Sequence, residues 1–252
     1  MQETIKAKLK DVNLCSFSDD NMSISQHRLN DSALNMGIEL NNIFSYLKRR
    51  DNWFGFNQPF IENNKSILNE QRGCGYWLWK PYVIWNTLLK IEENDWLLYL
   101  DAGTEIIGDV SYLKEQGQDF VLFNNVWSHM DWCKMDTIKA MIPFFNDRDL
   151  KQIQASAMMI KNTQKNRDIV YDWVAWCCDK HLIDDSPSVE PNVDTFREHR
   201  HDQAILTNLS IAFKIPTINW DLHITYDKNN QERKHPDIPI LFYHHRKRNN
   251  EW

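Results

Sequence analysis

The sequence predicts a single α/β domain, built on a central mixed, mostly parallel sheet flanked by helices. Three observations predict it. Short apolar runs with polar stops alternate along the chain with segments of helical period, the pattern of strand–helix–strand units. Neither an internal repeat nor a Pro/Gly-rich linker divides the 252 residues, a length that one large core can use. Apolar residues make up 42% and charged residues 25%, so the chain has the composition of a globular domain and not of a disordered one.

The first strand is expected at Asp11 to Phe17, followed by a polar loop, Ser18 to Asn21. In α/β folds a loop in that place often meets a nucleotide. Ser25 to Gly37 reads as a helix, with Arg28 near its start as a fork for a phosphate or a carboxylate. Asn41 to Arg50 reads as a short helix or strand, and Asn52 to Asn64 as loop. Next comes Arg72-Gly-Cys-Gly-Tyr-Trp-Leu-Trp-Lys-Pro81. Gly73 and Gly75 open backbone conformations closed to other residues, and Pro81 suits the first turn of a helix. That helix is expected to run to about Glu93. The segment is not a P-loop, but a Gly-rich turn feeding a helix can receive an anion, and Lys80 would add a point charge.

Asp95-Trp-Leu-Leu-Tyr-Leu-Asp-Ala-Gly-Thr-Glu105 is the stretch the rest is organised around. Trp96 to Leu100 is too short and apolar for a surface helix and reads as a buried strand. Asp101 then stands at its C-terminal end, where open α/β sheets place ligands. Ile106 to Leu113 is a helical or extended excursion, and Asp119 to Asn124 a strand. Ser128 to Asn146 reads as a helix ended or kinked by Pro143, and Gln154 to Ile160 as a strand. Asn166 to Lys180 has one apolar face and reads as a helix. Leu182 to Val193 reads as a mobile loop that could close over a site. Glu198 to Leu209 opens a helix with Asp202 and Gln203 in its first turn, where the dipole favours a carboxylate. Phe213 to Ile218 and Ile238 to Tyr243 are the last strands, the latter running into His244-His245-Arg246.

The totals exclude several function classes. A net charge of −6 argues against a general nucleic-acid binder. No apolar run approaches the ~18 residues of a spanning helix, and the N-terminus shows no signal-peptide core. Five cysteines without a C-x-x-C pair favour reduced thiols and a cytoplasmic location. The 11 Trp, 12 Phe and 8 Tyr suit stacking on sugars and bases, or packing in an aromatic core.

Four polar clusters therefore stand at strand ends or helix starts: Asp101 with Glu105, Arg72 to Lys80, His199 to Gln203, and His244-His245. Together they supply oxygen and imidazole ligands for a divalent ion, cations for a phosphate, and a carboxylate near a helix start. That inventory suits phosphoryl or glycosyl transfer, where a metal and cations neutralise a diphosphate leaving group.

The blocks R-G-C-G-Y-W-L-W-K-P-Y, D-W-L-L-Y-L-D-A-G-T-E and H-R-H-D-Q-A-I-L also resemble bacterial nucleotide-sugar glycosyltransferases of the GT-A (Rossmann-like) fold, which build capsule and lipopolysaccharide glycans. The match covers most of the chain. The resemblance implies a nucleotide-sugar-binding half at about 1–125 and an acceptor-side half at about 126–252. It implies a UDP-sugar donor and a glycan or lipid-linked saccharide acceptor. Donor contacts would come from Arg28, Arg72, Lys80, Asp101, Ala102 and Gly103. Asp101 matches the first carboxylate of the family's Asp-x-Asp motif, and Gly103 departs from it where the second should stand. Manganese or magnesium would then be held by Asp101, Glu105 and His244, with His245 as the alternative to His244, or by fewer protein ligands with diphosphate and water completing the shell; chelation should abolish or strongly reduce transfer. Asp202 would be the general base of an inverting enzyme; in a retaining one, Asp202 and Gln203 would position the donor.

Two other readings compete. One is a haloacid-dehalogenase-type phosphatase, but Gly103 removes the second aspartate that its chemistry needs. The other is a non-catalytic sugar-binding relative. The basic tail Arg246-Lys-Arg248 offers peripheral contact with the acidic inner face of a membrane bearing a lipid-linked acceptor.

Overall fold

Strand residues alternate between two faces, and in this chain both faces are buried. The computed structural model describes residues 7–229 and 231–252. Seven strands form the main sheet: β1 (Val12–Ser18), β2 (Ile43–Arg49), β3 (Asn52–Phe54), β4 (Trp96–Leu100), β6 (Phe120–Ser128), β7 (Lys151–Lys161) and β8 (Thr217–Asn219). Their spatial order is β3-β2-β1-β4-β7-β6-β8. β1 runs parallel to β2 and β4, and β6 parallel to β8, while β3 and β7 run against their neighbours. Five of the seven strands thus point one way. The sheet is mixed and mostly parallel, as the sequence predicts.

Helices α2 (Trp79–Leu88), α4 (Gln164–Cys177) and α5 (His201–Ala212) cover one face. Leu97 and Tyr99 of β4 and Met158 and Ile160 of β7 pack there, with Val83, Trp173 and Leu206. Leu98 and Leu100, with Ala157 and Met159, point the other way, to Leu29 and Ala33 of α1 (Ser23–Met36). That second face is completed by a small sheet of β5 (Thr104–Ile106), β10 (Phe242–His244) and β9 (Ile224–Thr225). α3 (Met135–Met141) packs beside α5 through Ile138 and Ala204.

The departures from the sequence reading have local causes. Asn52 to Asn64 is not all loop. Trp53 pairs with Lys48 across the β2–β3 hairpin and stacks on Phe17. Asn57 then caps a short helix, Gln58–Asn63, accepting from the Phe60 N–H at 2.8 Å. α2 ends at Leu88 rather than Glu93, because the chain must turn through Asn94 (φ 73°) to enter β4. Ser128 to Asn146 is only partly helical: β6 extends to Ser128, and α3 begins after the extended Lys134. α5 runs to Ala212, leaving β8 only Thr217–Asn219. The loop after Leu182 is tied down rather than loose. Buried Lys134 binds Asp184 and Ser186, and Asp136 accepts from the Val189 and Glu190 N–H groups. Those backbone donors hold the Asp136 pKa down at about 2, against its burial.

Candidate active site

The chain leaves β1 toward β2 on one side, while β4 lies on β1's other side, so the strand order reverses between β1 and β4. Open α/β sheets bind ligands at such a reversal, beyond the C-terminal strand ends. A cleft of about 850 Å³ lies there, within the ~300–1,000 Å³ usual for ligand sites. Ser18, Asp19, Asn21 and Met22 after β1 line one side, and Asp101, Ala102 and Gly103 after β4 another. Arg72, Lys80, Asp202, Gln203 and His244 line it too, so most of the sequence-predicted site is brought together. Arg28 and Glu105 are not among the lining residues.

The floor of the cleft is a buried charge cluster. Tyr99 and Asp101, two residues apart, share a face of the strand. The Tyr99 hydroxyl donates to Asp101 Oδ1 at 2.6 Å. From α2, Lys80 Nζ lies 3.2 Å from the same Oδ1, 3.2 Å from the Ala155 carbonyl oxygen and 3.5 Å from Asp202 Oδ2. Three oxygens thus surround an ammonium with three protons. Burial disfavours the Lys80 charge, but Asp101 and Asp202 outweigh it and hold the pKa above the usual lysine value. Asp202 is 3% exposed, and its Oδ2 has no hydrogen bond of good geometry. Burial pushes the Asp202 pKa up to about 7; Lys80 pulls it down and Asp101 adds to the rise. Beside it, Gln203 is committed to the scaffold: its Nε2 donates to Gln152 Oε1 at 2.7 Å, and its Oε1 accepts from the Ala155 N–H at 3.4 Å.

The Gly-rich segment forms a left-handed turn. Gly73, Cys74, Gly75, Tyr76 and Trp77 all have φ between 49° and 95°. A Cβ on Gly73 would lie 2.2 Å from the Trp77 ring, and one on Gly75 would lie 2.7 Å from Leu68 Cα, so both positions demand glycine. For L-residues such a run costs of the order of 1–2 kcal/mol each. It places Trp77 and Tyr76 against His201, with ring centroids 5.2 and 5.1 Å away, and leaves Trp77 and Trp79 on the cleft wall. Arg72, before the turn, pairs with Asp185 and Glu198.

On the opposite rim, strand parity separates residues that look adjacent in sequence. β5 and β10 pair antiparallel, Thr104 with His244 and Glu105 with Tyr243. Thr104 Oγ1 is 3.0 Å from His244 Nδ1, so these two share a face. Glu105 is turned to the other face, where Arg28 and Lys228 bind both of its oxygens. Those two cations hold its pKa down against the effect of burial. Arg28 also stacks on Trp252 at 4.0 Å. Between His244 and His245, it is His244 that lines the cleft. Burial, then the charge of Arg246, pushes His244 down to about 4, a neutral imidazole at pH 7.

The residues do not fit the expected metal. Asp101 Oδ1 is engaged by Tyr99 and Lys80, Glu105 is neutralised on another face, and both His244 nitrogens have partners, Thr104 and Arg246 Nε. Among the described residues no group of three or more His, Cys, Asp or Glu side chains is gathered for an ion. Asp101, Glu105 and His244 therefore do not converge, because Glu105 lies one strand position out of phase with the cleft.

Sequence reasoning did not assign Arg200, Arg246 and Arg248 to the cleft they line, nor Tyr99 to the buried hydrogen bond it makes with Asp101. The tyrosine was signalled only by its spacing from Asp101; the tail arginines read as a membrane contact. Five cations (Arg72, Lys80, Arg200, Arg246, Arg248) and three carboxylates (Asp19, Asp101, Asp202) line the cleft; Arg72 and Arg200 are paired with Asp185 and Glu198, which leaves Arg246 and Arg248 as its cations without a carboxylate partner among the described residues.

No family model and no curated protein matches the chain. Among solved structures it is similar to mouse xyloside xylosyltransferase 1 in its apo form, with 11% identity over 96% of this chain and 99% of that one, at a TM-score of 0.47. It is also similar to the apo bifunctional glycosyltransferase WbbM, with 12% identity over 91% of this chain and 42% of that one, at 0.48. A third is the galactosyltransferase LgtC in complex with donor and acceptor sugar analogues, with 14% identity over 92% and 86%, at 0.45.

Proposed function

We propose that the chain is a glycosyltransferase that moves a sugar from a nucleotide-sugar donor, a UDP-sugar by preference, to a glycan or lipid-linked saccharide acceptor in surface polysaccharide synthesis. The observation that carries this reading is the cation-rich cleft at the strand-order reversal of an acidic chain, with a buried carboxylate of pKa about 7 at its floor. A cationic cleft suits a diphosphate, and a base poised near neutral pH suits deprotonation of a sugar hydroxyl. The three sequence blocks that resemble nucleotide-sugar enzymes all border this cleft, which adds to the reading.

In this mechanism the donor lies mainly on residues 1–125, against Ser18 to Met22, Arg72, Lys80 and Asp101 to Gly103. The acceptor enters from the 126–252 side, beside Asp202. The Asp202 carboxylate takes the proton of the acceptor hydroxyl as that oxygen bonds to the anomeric carbon. The carbon–oxygen bond to the diphosphate breaks, its electron pair leaves with the nucleotide, and the cleft cations meet the new charge. Attack opposite to the leaving group inverts the anomeric configuration. Lys80 holds Asp101 and Asp202 at fixed places and limits their mutual repulsion. Among the described residues no helix is long and apolar enough to cross a membrane; a cytoplasmic location, with peripheral contact at the inner membrane face, belongs to the proposal.

Incubation with UDP-sugars and acceptor glycans tests it. The expected result is nucleotide release coupled to a product of inverted configuration. Phosphate release from phosphomonoesters without nucleotide release would favour the phosphatase reading. Product formation by the complete pathway that is unchanged when the chain carries Asp202→Ala and Asp101→Ala would favour a sugar-binding relative that does no chemistry.

A further inference from the structure

Gly103 stands where a second carboxylate was expected, and the backbone gives the reason. A Cβ at this position would lie 2.8 Å from Arg246 Cα and 3.2 Å from Arg246 N. The Gly103 carbonyl oxygen accepts from the backbone N–H groups of His245 and Arg246, at 3.0 and 2.9 Å. No aspartate can occupy this place unless the C-terminal segment moves. What fills the space is a strap, residues 245–252, that crosses the end of β4.

The strap is fastened along its length. Ser25 Oγ donates to the Lys247 carbonyl oxygen at 2.6 Å. The Asn249 side chain accepts from the Ile24 N–H at 2.9 Å and donates to the Asp20 carbonyl oxygen at 2.7 Å. Trp252 Nε1 donates to Ser25 Oγ at 3.0 Å. These anchors are the loop after β1 and the first turn of α1. Arg246 and Arg248 are carried between them and line the cleft. Arg246 Nε donates to His244 Nε2 at 2.6 Å, so the guanidinium is held at the rim with its terminal nitrogens available. Among the described residues the Arg248 guanidinium has no hydrogen bond or ion pair; Arg248 meets Glu251 through its backbone, whose N–H donates to Glu251 Oε2 at 2.7 Å and whose carbonyl oxygen accepts from the Glu251 N–H at 3.0 Å.

Resting on the nucleotide-sugar reading, we propose that Arg246 and Arg248 of this strap neutralise the donor's diphosphate in place of a divalent metal ion. Two guanidinium groups carry the charge of one divalent ion, and their planar donors match phosphate oxygens. Their anchoring is preorganised, which is what a site for a developing charge requires. The sequence change at Gly103 and the arrival of the strap are then one substitution: the second carboxylate is absent because the arginine backbone takes its place.

Calorimetric titration of the full chain with UDP, with GDP alongside, tests this in EDTA and again in excess manganese. The expected result is nucleotide binding in EDTA with an affinity changed less than about twofold by manganese. Arg246→Ala should weaken it roughly tenfold and Arg248→Ala somewhat less, with Arg246→Lys recovering part of the loss. A thermal melt of each variant, unchanged from the parent, ties the loss to charge and not to unfolding. Binding only with manganese would overturn the strap proposal and leave the nucleotide-sugar reading standing, as would arginine variants that bind like the parent. Failure of both nucleotides to bind under either condition would overturn both.

Discussion

Asp101 and Glu105 are four residues apart, each next to a cation, yet they belong to different kinds of site. Asp101 keeps 32% of its side chain exposed and shares the ammonium of Lys80 with Asp202. Glu105 is 4% exposed, with one oxygen on Arg28 and the other on Lys228. The first arrangement is open to the cleft and holds more negative than positive charge. The second is closed, and its carboxylate has no free acceptor to offer. The difference comes from the turn at Ala102-Gly103 and from strand parity, which sends Thr104 toward His244 and Glu105 away from it. Side-chain chemistry alone does not separate a structural carboxylate from a functional one; the face on which it stands does.

The comparison breaks most visibly at Lys80. Lys80→Met would leave Asp101 and Asp202 in the floor without their cation. A loss of ~3–5 kcal/mol of unfolding stability is expected, read by urea titration. Acid should restore part of it, because protonation removes the stranded charge.

Asp202→Asn comes next, and it separates chemistry from stability. Transfer should fall ~10²–10⁴-fold, while the melt is kept or improved, because a carboxylate that burial disfavours has been removed. In the parent, the rate should rise with pH through about 7, the pKa of Asp202. The stability sign is the reverse. Since the folded-state pKa is raised, the stability given by the protonated form is complete below the usual aspartate range and lost as pH rises through about 7. Activity and stability should therefore trend oppositely across that interval, and Asp202→Asn should flatten both.

Glu105→Gln should have a smaller effect and a purely structural one. Arg28 and Lys228 are 39% and 49% exposed, so solvent screens the pairs and the expected loss is only ~1 kcal/mol. The Glu105 pKa is depressed, so its contribution is present above the usual glutamate range and lost as pH falls through the lowered value. Transfer and its response to manganese should be unchanged. A change in metal response in this variant would return Glu105 to the site.

Much of this was legible in the chain, for identifiable reasons. The five apolar residues of β4, the Gly73 and Gly75 pair and the Asp202 helix start are local signals, and each stands where its pattern predicts. The chain also announced the cleft through the polar loop after β1. Contacts between distant segments carry no such signal. Arg246 reaches Gly103 across more than a hundred residues, and its sequence neighbours suggest only a basic tail. Glu105 failed for a subtler reason: the turn before β5 resets the facing of its side chains, and spacing counted from Asp101 does not survive that reset.

The most direct measurement is a crystal structure of the chain soaked with UDP and manganese, with anomalous scattering recorded at the manganese edge. The account predicts the diphosphate between Arg246 and Arg248 above Asp101, and no anomalous peak within bonding distance of Asp101 or His244. A manganese ion bridging Asp101, His244 and the diphosphate, with Arg246 displaced from His244, would contradict it.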